Sequence, residues 1–218
     1  WVTPSGGSEY LAENFIYGES EGAANNHRGQ LYESFDQAGK QVFEKYDFKG
    51  NLLKQKRTFA QEYQTAIDYS GTVNYESESY ITEWEFDAMN RPILEITPET
   101  SEKIYSYAPF ALLNQVEIKV RGGGAAADAI TAINYNARGQ RTEVFYANGS
   151  KTANTYDAAT FRLKRILSTR NTGADILQDL NYTFDAAGNI VYLKDDAQQT
   201  IYFSNSVVVP ENKYEYDA

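Results

Sequence analysis

The feature that most constrains this chain is a short pattern that returns along most of its length. An aromatic residue is followed by Asp or Asn, two variable residues, a Gly or other turn-tolerant residue, a polar residue and an apolar run. Tyr46-Asp47-Phe48-Lys49-Gly50-Asn51-Leu52 is the fullest copy. Phe35-Asp36-Gln37-Ala38-Gly39, Phe86-Asp87-Ala88-Met89-Asn90 and Tyr135-Asn136-Ala137-Arg138-Gly139 repeat it, as do Tyr156-Asp157-Ala158-Ala159-Thr160 and Phe184-Asp185-Ala186-Ala187-Gly188-Asn189-Ile190. Asn25-Asn26-His27-Arg28-Gly29-Gln30-Leu31 fits the same frame without its aromatic, and Tyr216-Asp217-Ala218 opens another copy.

One copy has the physics of a β-hairpin corner. The aromatic closes an incoming strand on a packed face. The Asp carboxylate accepts a hydrogen bond from a backbone N–H two residues on, which starts a turn from purely local chemistry. Gly39, Gly50, Gly139 and Gly188 then supply the positive φ that reverses the chain. Leu52, Leu53, Ile190 and Val191 begin the returning strands. Serial repetition makes the corner reading far stronger than any single turn signal.

The residues between corners read as strands. Phe35 and Tyr46 stand 11 residues apart, the spacing of consecutive strands in an all-β array. Segments 30–35, 40–46, 93–96, 103–107, 112–120, 130–135, 140–146, 152–156, 161–169, 177–184, 190–195, 200–203, 207–209 and 213–216 are the expected strands. Residues 77–86 alternate, with Tyr80, Thr82, Trp84 and Phe86 on one side, and Pro92 suits a strand start. Residues 97–100 form a turn and 108–111 a degenerate corner. Residues 58–64 lack turn formers and predict a short helix. Residues 122–127 are a low-complexity loop.

Eighteen Tyr and 11 Phe against one Met make a β-rich palette. The absence of Cys excludes disulfides, thiol catalysis and cysteine metal sites, and a single His excludes an internal multi-histidine zinc site. A net charge of −10 argues against nucleic acid as partner. No apolar run approaches the roughly 20 residues of a membrane span, so no direct membrane insertion is expected. With Trp first and an open copy at Tyr216, the chain reads as a fragment cut at both ends.

No catalytic, cofactor-binding or metal-binding residue is assigned. Asp36, Asp47, Asp87, Asp157 and Asp185 could be calcium ligands or catalytic acids, but turn capping explains their fixed position. Asp195 and Asp196 could be a carboxylate pair, yet adjacent strand residues point to opposite faces, which favours a solvated turn. His27 lies in a turn with no evident partner, and Gly122-Gly123-Gly124 lacks the Lys-Ser/Thr of a phosphate loop. Asn148-Gly149-Ser150 and Asn181-Tyr182-Thr183 match the glycosylation sequon; the first is better explained as a hairpin turn. The aromatics could instead form an exposed sugar-binding or cell-surface-binding platform, the rival to a packed core stripe. The direction in which they point discriminates the two.

The serial Tyr/Phe-Asp-x-x-Gly-x-apolar units resemble the RHS (YD) repeat. Arg28-Gly29-Gln30-Leu31-Tyr32 with Tyr46–Leu53, Phe86–Pro92, Asn134–Arg141, Thr160-Phe161-Arg162-Leu163 and the run Asp195–Ile201 are similar to the B component of bacterial insecticidal toxin complexes. The resemblance covers residues 25–218 as a repeat sheet; residues 1–24 read as leading strands and loops. It implies an all-β fold of repeat hairpins in a spiral antiparallel sheet, part of a hollow shell. It implies a role as structural wall, enclosing a C-terminal effector for translocation. The implied partners are the C component with its effector, and the pore-forming A component through other regions of the parent. The implied setting is a secreted bacterial toxin complex, and the implied role is not enzymatic.

Overall fold

A computed structural model describes residues 1–3 and 7–217. Among them the regular structure is antiparallel β apart from three short 3-10 turns, and the chain divides into two compact units. The first comprises Trp1–Ile104 with Ile118–Ala126, and the second Tyr105–Glu117 with Ala127–Ala218.

In the first unit, β1 (Asn14–Tyr17), β2 (Leu31–Asp36), β3 (Gly39–Tyr46), β4 (Leu52–Phe59), β5 (Tyr80–Phe86), β6 (Pro92–Ile96) and the first half of β7 (Glu102–Tyr107) pair in chain order. After β8 (Leu113–Lys119), the second unit pairs β9 (Ala127–Tyr135), β10 (Arg141–Tyr146), β11 (Lys151–Tyr156), β12 (Leu163–Arg170), β13 (Asp175–Phe184) and β14 (Ile190–Asp195) in the same way. Between β14 and its next partner β17 (Glu211–Lys213), the chain leaves the sheet as a separate hairpin, β15 (Ile201–Phe203) with β16 (Ser206–Val208). A meander of this kind needs only local connections, which is what closely spaced turn signals encode.

The core is thin. Ala12, Val42, Tyr46, Ala60 and Ile67 are buried in the first unit, and Ile133 and Val144 in the second, while most strand residues are half-buried. Stability therefore rests on backbone ladders and cross-strand side-chain pairs more than on a deep interior. Lys54 bridges Glu83 at 2.8 Å and Lys56 bridges Glu44 at 3.2 Å, and Lys151 meets Glu143 at 3.0 Å in the second unit.

Three expectations are corrected. Residues 58–64 are not a helix: β4 runs on to Phe59, held by Gly39↔Phe59 on one side and Arg57↔Tyr80 on the other. Two paired neighbours outweigh weak local helix preference. Beyond Phe59 the chain forms a long irregular connection to β5, started by Glu62, which accepts from the N–H groups of Gln64 (2.6 Å) and Thr65 (2.9 Å). The last strand is Glu211–Lys213 rather than 213–216. Asp36 marks a different turn from the other Asp residues: Asp36 pairs directly with Gly39, leaving a two-residue loop.

Candidate functional site: a linked row of carboxylate corners

Connections that follow odd-numbered strands lie along one edge of each unit's sheet, and there the repeated motif has a single geometry. Asp47 Oδ1 accepts from the backbone N–H of Lys49 (2.8 Å) and of Asn51 (2.9 Å), and Oδ2 accepts from the Asn51 amide (2.8 Å). Asp87 repeats this with Met89, Arg91 and the Arg91 side chain, and Asp185 with Gly188, Asn189 and the Asn189 amide. Asp157 holds Ala159 and Thr160 in a corner one residue longer.

Asn136 keeps the frame without charge. Its Oδ1 accepts from the N–H groups of Arg138 and Gln140, and its own amide donates to Gln140 Oε1 at 2.9 Å. Beneath these contacts, except at the longer Asp157 corner, the backbone closes identically: residue i donates to the carbonyl four on, and residue i+3 donates back to i. The bond from Asp47 N to Asn51 O (2.9 Å) and that from Gly50 N to Asp47 O (3.2 Å) show it. Residue i+3 takes positive φ, at Gly50 (88°), Asn90 (62°), Gly139 (77°) and Gly188 (107°), and also at Ala111 (66°) in the degenerate corner 108–112. Turn capping thus accounts for each repeated carboxylate.

The hydrogen bonds depress these carboxyls. Arg91 holds Asp87 below the ordinary Asp range, the Thr160 backbone does so for Asp157, and Asn189 for Asp185. At Asp47 desolvation pushes upward, but bonds from Asn51 and Lys49 outweigh it and the pKa is lowered. A carboxylate already satisfied by several donors is a poor proton shuttle; its job here is structural.

Neighbouring corners are tied together. The Asn51 amide donates to Asn90 Oδ1 at 3.0 Å, and Lys49 Nζ donates to Ala88 O. In the second unit, Gln140 Nε2 donates to Phe161 O at 2.9 Å, and the Arg138 guanidinium lies 3.4 Å from the Phe161 ring centroid. Arg162 Nη1 donates to Asp185 O at 2.9 Å. Gly188 itself sits at φ 107°, a backbone conformation that favours glycine, with the flexible end of Arg162 beside it.

The aromatic before each Asp has a second function that sequence reasoning missed. Tyr46 OH donates to Leu31 O (2.7 Å), Tyr135 OH to Leu113 O (2.7 Å), Tyr156 OH to Arg141 O (2.9 Å) and Tyr216 OH to Ile190 O (2.9 Å). Each hydroxyl reaches the first residue of an earlier even-numbered strand, or the residue at its start. Copies with Phe86 and Phe184 lack the hydroxyl and keep only the ring. The Tyr in four of the seven aromatic copies was the available signal. Tyr46 is 7% exposed, so at this position the ring faces its neighbours and forms no platform.

Other singled-out residues are also structural. His27 is 3% exposed, bonds Phe43 O through Nε2 at 2.8 Å, and sets its ring edge-on to Tyr32. That partner is invisible to local reading, because Phe43 is reached only through strand pairing. Asp195 Oδ1 accepts from Asp179 N (2.9 Å) and Ala197 N (3.1 Å), while Asp196 pairs with Lys194 and Asn181, so the two carboxylates serve separate contacts. Two ion pairs went unforeseen: Arg57 with Asp36, and Arg165 with the buried Asp179. In each pair the arginine holds the Asp carboxyl below its ordinary range.

No family model matches the chain. "Toxin subunit YenC2" of Yersinia entomophaga is 29% identical over 229 residues, covering 98% of this chain. "Toxin subunit YenC1" of the same organism is 36% identical over 117 residues, 52% of this chain. The solved "Crystal Structure of TcdB2-TccC3" superposes with a TM-score of 0.72 at 26% identity over 95% of this chain. A second, of a Photorhabdus luminescens Tc holotoxin pore, gives a TM-score of 0.73 at 25% identity over 99%. The antiparallel meander is thus similar, over nearly its whole length, to a stretch of these Tc toxin structures. The chain spans 24% of YenC2, 12% of YenC1 and 10% of the TcdB2-TccC3 chain.

Proposed function

We propose that this chain is a length of wall in a toxin-encapsulating RHS shell. Residues 25–218 form the repeat sheet and residues 1–24 its leading strands and loops. The observation that carries the reading is the linked corner edge. Its carboxylates, tyrosine hydroxyls and arginines are turned to neighbouring corners and strands, so the motif's polar chemistry is spent on continuity of the sheet. Such a surface encloses volume and excludes solvent, and it needs no catalytic residue, cofactor or metal. The likeness to Tc toxin structures over nearly the whole chain supports the same role. Both the B-component resemblance and the YenC names of the sequence relatives are met by it.

In the parent protein the enclosed cargo is a C-terminal effector. The C component carries it, the pore-forming A component is engaged through other regions, and the assembly is secreted. The test is to place Tyr46→Ala and the surface change Glu85→Gln in the parent toxin. Tyr46→Ala should lower the yield of protease-resistant shell while delivery per assembled particle stays near wild type. Glu85→Gln should change neither. If a surface polar change of this kind abolishes delivery while assembly stays normal, the chain carries a site and the wall reading fails.

A further inference from the structure

Asn148-Gly149 is the one Asn-Gly pair in the sequence, at the tip of the β10–β11 hairpin. The hairpin closes through bonds from Tyr146 N to Ser150 O and from Gly149 N to Tyr146 O, both 3.0 Å, with Gly149 at φ 80°. Asn148 is exposed, and a Cβ built on Gly149 would meet nothing within 4 Å. Asn148 Oδ1 accepts two hydrogen bonds from one residue, the Ser150 N–H at 3.0 Å and the Ser150 hydroxyl at 2.6 Å.

We propose that Asn148 is a modification site, where the side-chain amide is lost spontaneously through a cyclic imide. The Gly149 backbone nitrogen attacks Asn148 Cγ and forms the N–Cγ bond. The amide nitrogen leaves as ammonia, taking up the proton that Gly149 gives off. Water then opens the imide at one of its two carbonyls. Opening at Cγ restores the main chain with aspartate; opening at the backbone carbonyl routes the main chain through the side chain as isoaspartate. Water is the only co-reactant, and no redox change occurs.

Three features favour this position. Two donors on Oδ1 polarise Cγ and stand where negative charge develops during attack. Gly149 presents no side chain to the incoming bond, whereas Asn90, Asn136, Asn171, Asn189 and Asn205 precede Arg, Ala, Thr, Ile and Ser. Exposure admits water. One feature restrains it: the Gly149 N–H is engaged with Tyr146 O, so the reaction proceeds through local opening of the hairpin tip.

The two products differ in consequence. Aspartate retains the acceptor that holds Ser150. Isoaspartate adds a methylene to the backbone between paired strands and displaces the Phe145↔Lys151 register. Its newly free α-carboxyl is the acceptor for an isoaspartate-directed methyl transfer, the reaction class that consumes such a product.

The experiment holds the purified chain in mildly alkaline buffer for days, with and without urea, and digests it with trypsin after Arg141 and Lys151. Peptide 142–151 should gain the mass of amide-to-acid conversion, with isoaspartate as the larger product by enzymatic methylation. Urea should accelerate the change by about tenfold or more, as expected when local opening limits it. Gly149→Ala, compared in urea so that its folding is irrelevant, should slow the change severalfold. No conversion at 142–151, equal conversion in the peptides carrying Asn171 and Asn205, or an undiminished rate in Gly149→Ala would each overturn the proposal.

Discussion

Within each unit, the two edges of the sheet solve the same problem differently. Along one edge the corners at 47–51, 87–91, 136–140, 157–162 and 185–189 repeat a single carboxylate or amide device, and neighbours are tied side to side. Along the other edge the turns are dissimilar. They comprise the two-residue loop at 37–38, the long connection 60–79, a corner at 97–101 and hairpin tips at 146–150 and 171–174. The first edge is held by residues close in sequence, so each copy is self-sufficient and can be repeated. On the second, the tips at 97–101, 146–150 and 171–174 close locally but share no device, and the turn at 36–39 is held by contacts far apart in sequence.

The turn at Asp36–Gly39 shows this dependence. The Gln37 amide donates to Ala12 O (2.9 Å) and Ile67 O (3.0 Å), and Ile67 N donates back to Gln37 Oε1 (2.8 Å). Tyr69 OH reaches Asp36 O (2.6 Å) and Gly39 O (2.9 Å), and burial pushes its pKa up to about 12. One short turn thus gathers the leading strap and the long connection onto itself.

The largest expected effect comes from cutting the aromatic that joins corner to sheet. Tyr46→Ala should cost about 3–5 kcal/mol in urea unfolding, as for other large-to-small buried changes. Tyr46→Phe should cost about 1 kcal/mol, the hydroxyl bond to Leu31 O alone. Equal losses would mean the ring contributes little and the corner edge is held by its turns.

Next comes a direct contrast of glycines on the two edges. A Cβ at Gly39 (φ 137°) would collide with Thr58 O and lie 2.8 Å from Ala60 N, both fixed backbone. At Gly50 (φ 88°) it would stand 3.1 Å from the end of the flexible Gln30 side chain. Gly39→Ala should therefore cost about 2–3 kcal/mol through overpacking and strain. Gly50→Ala should cost about 1 kcal/mol, chiefly through its left-handed φ. Thermal melting of both variants ranks them, and the reverse order would dissolve the distinction between edges.

The smallest effect is electrostatic. Asp87, Asp157 and Asp185 have folded-state pKa values below the ordinary Asp value of about 3.9. A depressed carboxyl stabilises the fold above its unfolded pKa and loses that stabilisation as pH falls through the lower folded value. Stability should thus decline below about pH 4, and Asp87→Asn should flatten that acid limb slightly. Replacing the neutral corner residue, Asn136→Asp, should steepen it. An acid limb that neither change alters would remove the carboxylate corners from the pH response.

Local chemistry determined much of this protein. The aromatic-Asp-x-x-Gly pattern specifies the repeated corner because the carboxylate and the glycine act within five residues. That yields an all-β meander and nearly all of its strands. The same reasoning could not separate Asp36 from Asp47, since both begin an Asx turn and only strand pairing decides which edge each occupies. Nor could it find the partners of His27, the Tyr46 hydroxyl, Arg165 with Asp179, or Gln37 with Ile67. These are contacts between residues on different strands or loops, and register alone brings them within reach. The expected helix at 58–64 failed for the same reason: β3 offered Thr58 and Phe59 backbone partners, Lys40 and Gly39, that no local preference registers. Turns are short-range and therefore written in the sequence, whereas which turn ties to which neighbour is decided when the strands align.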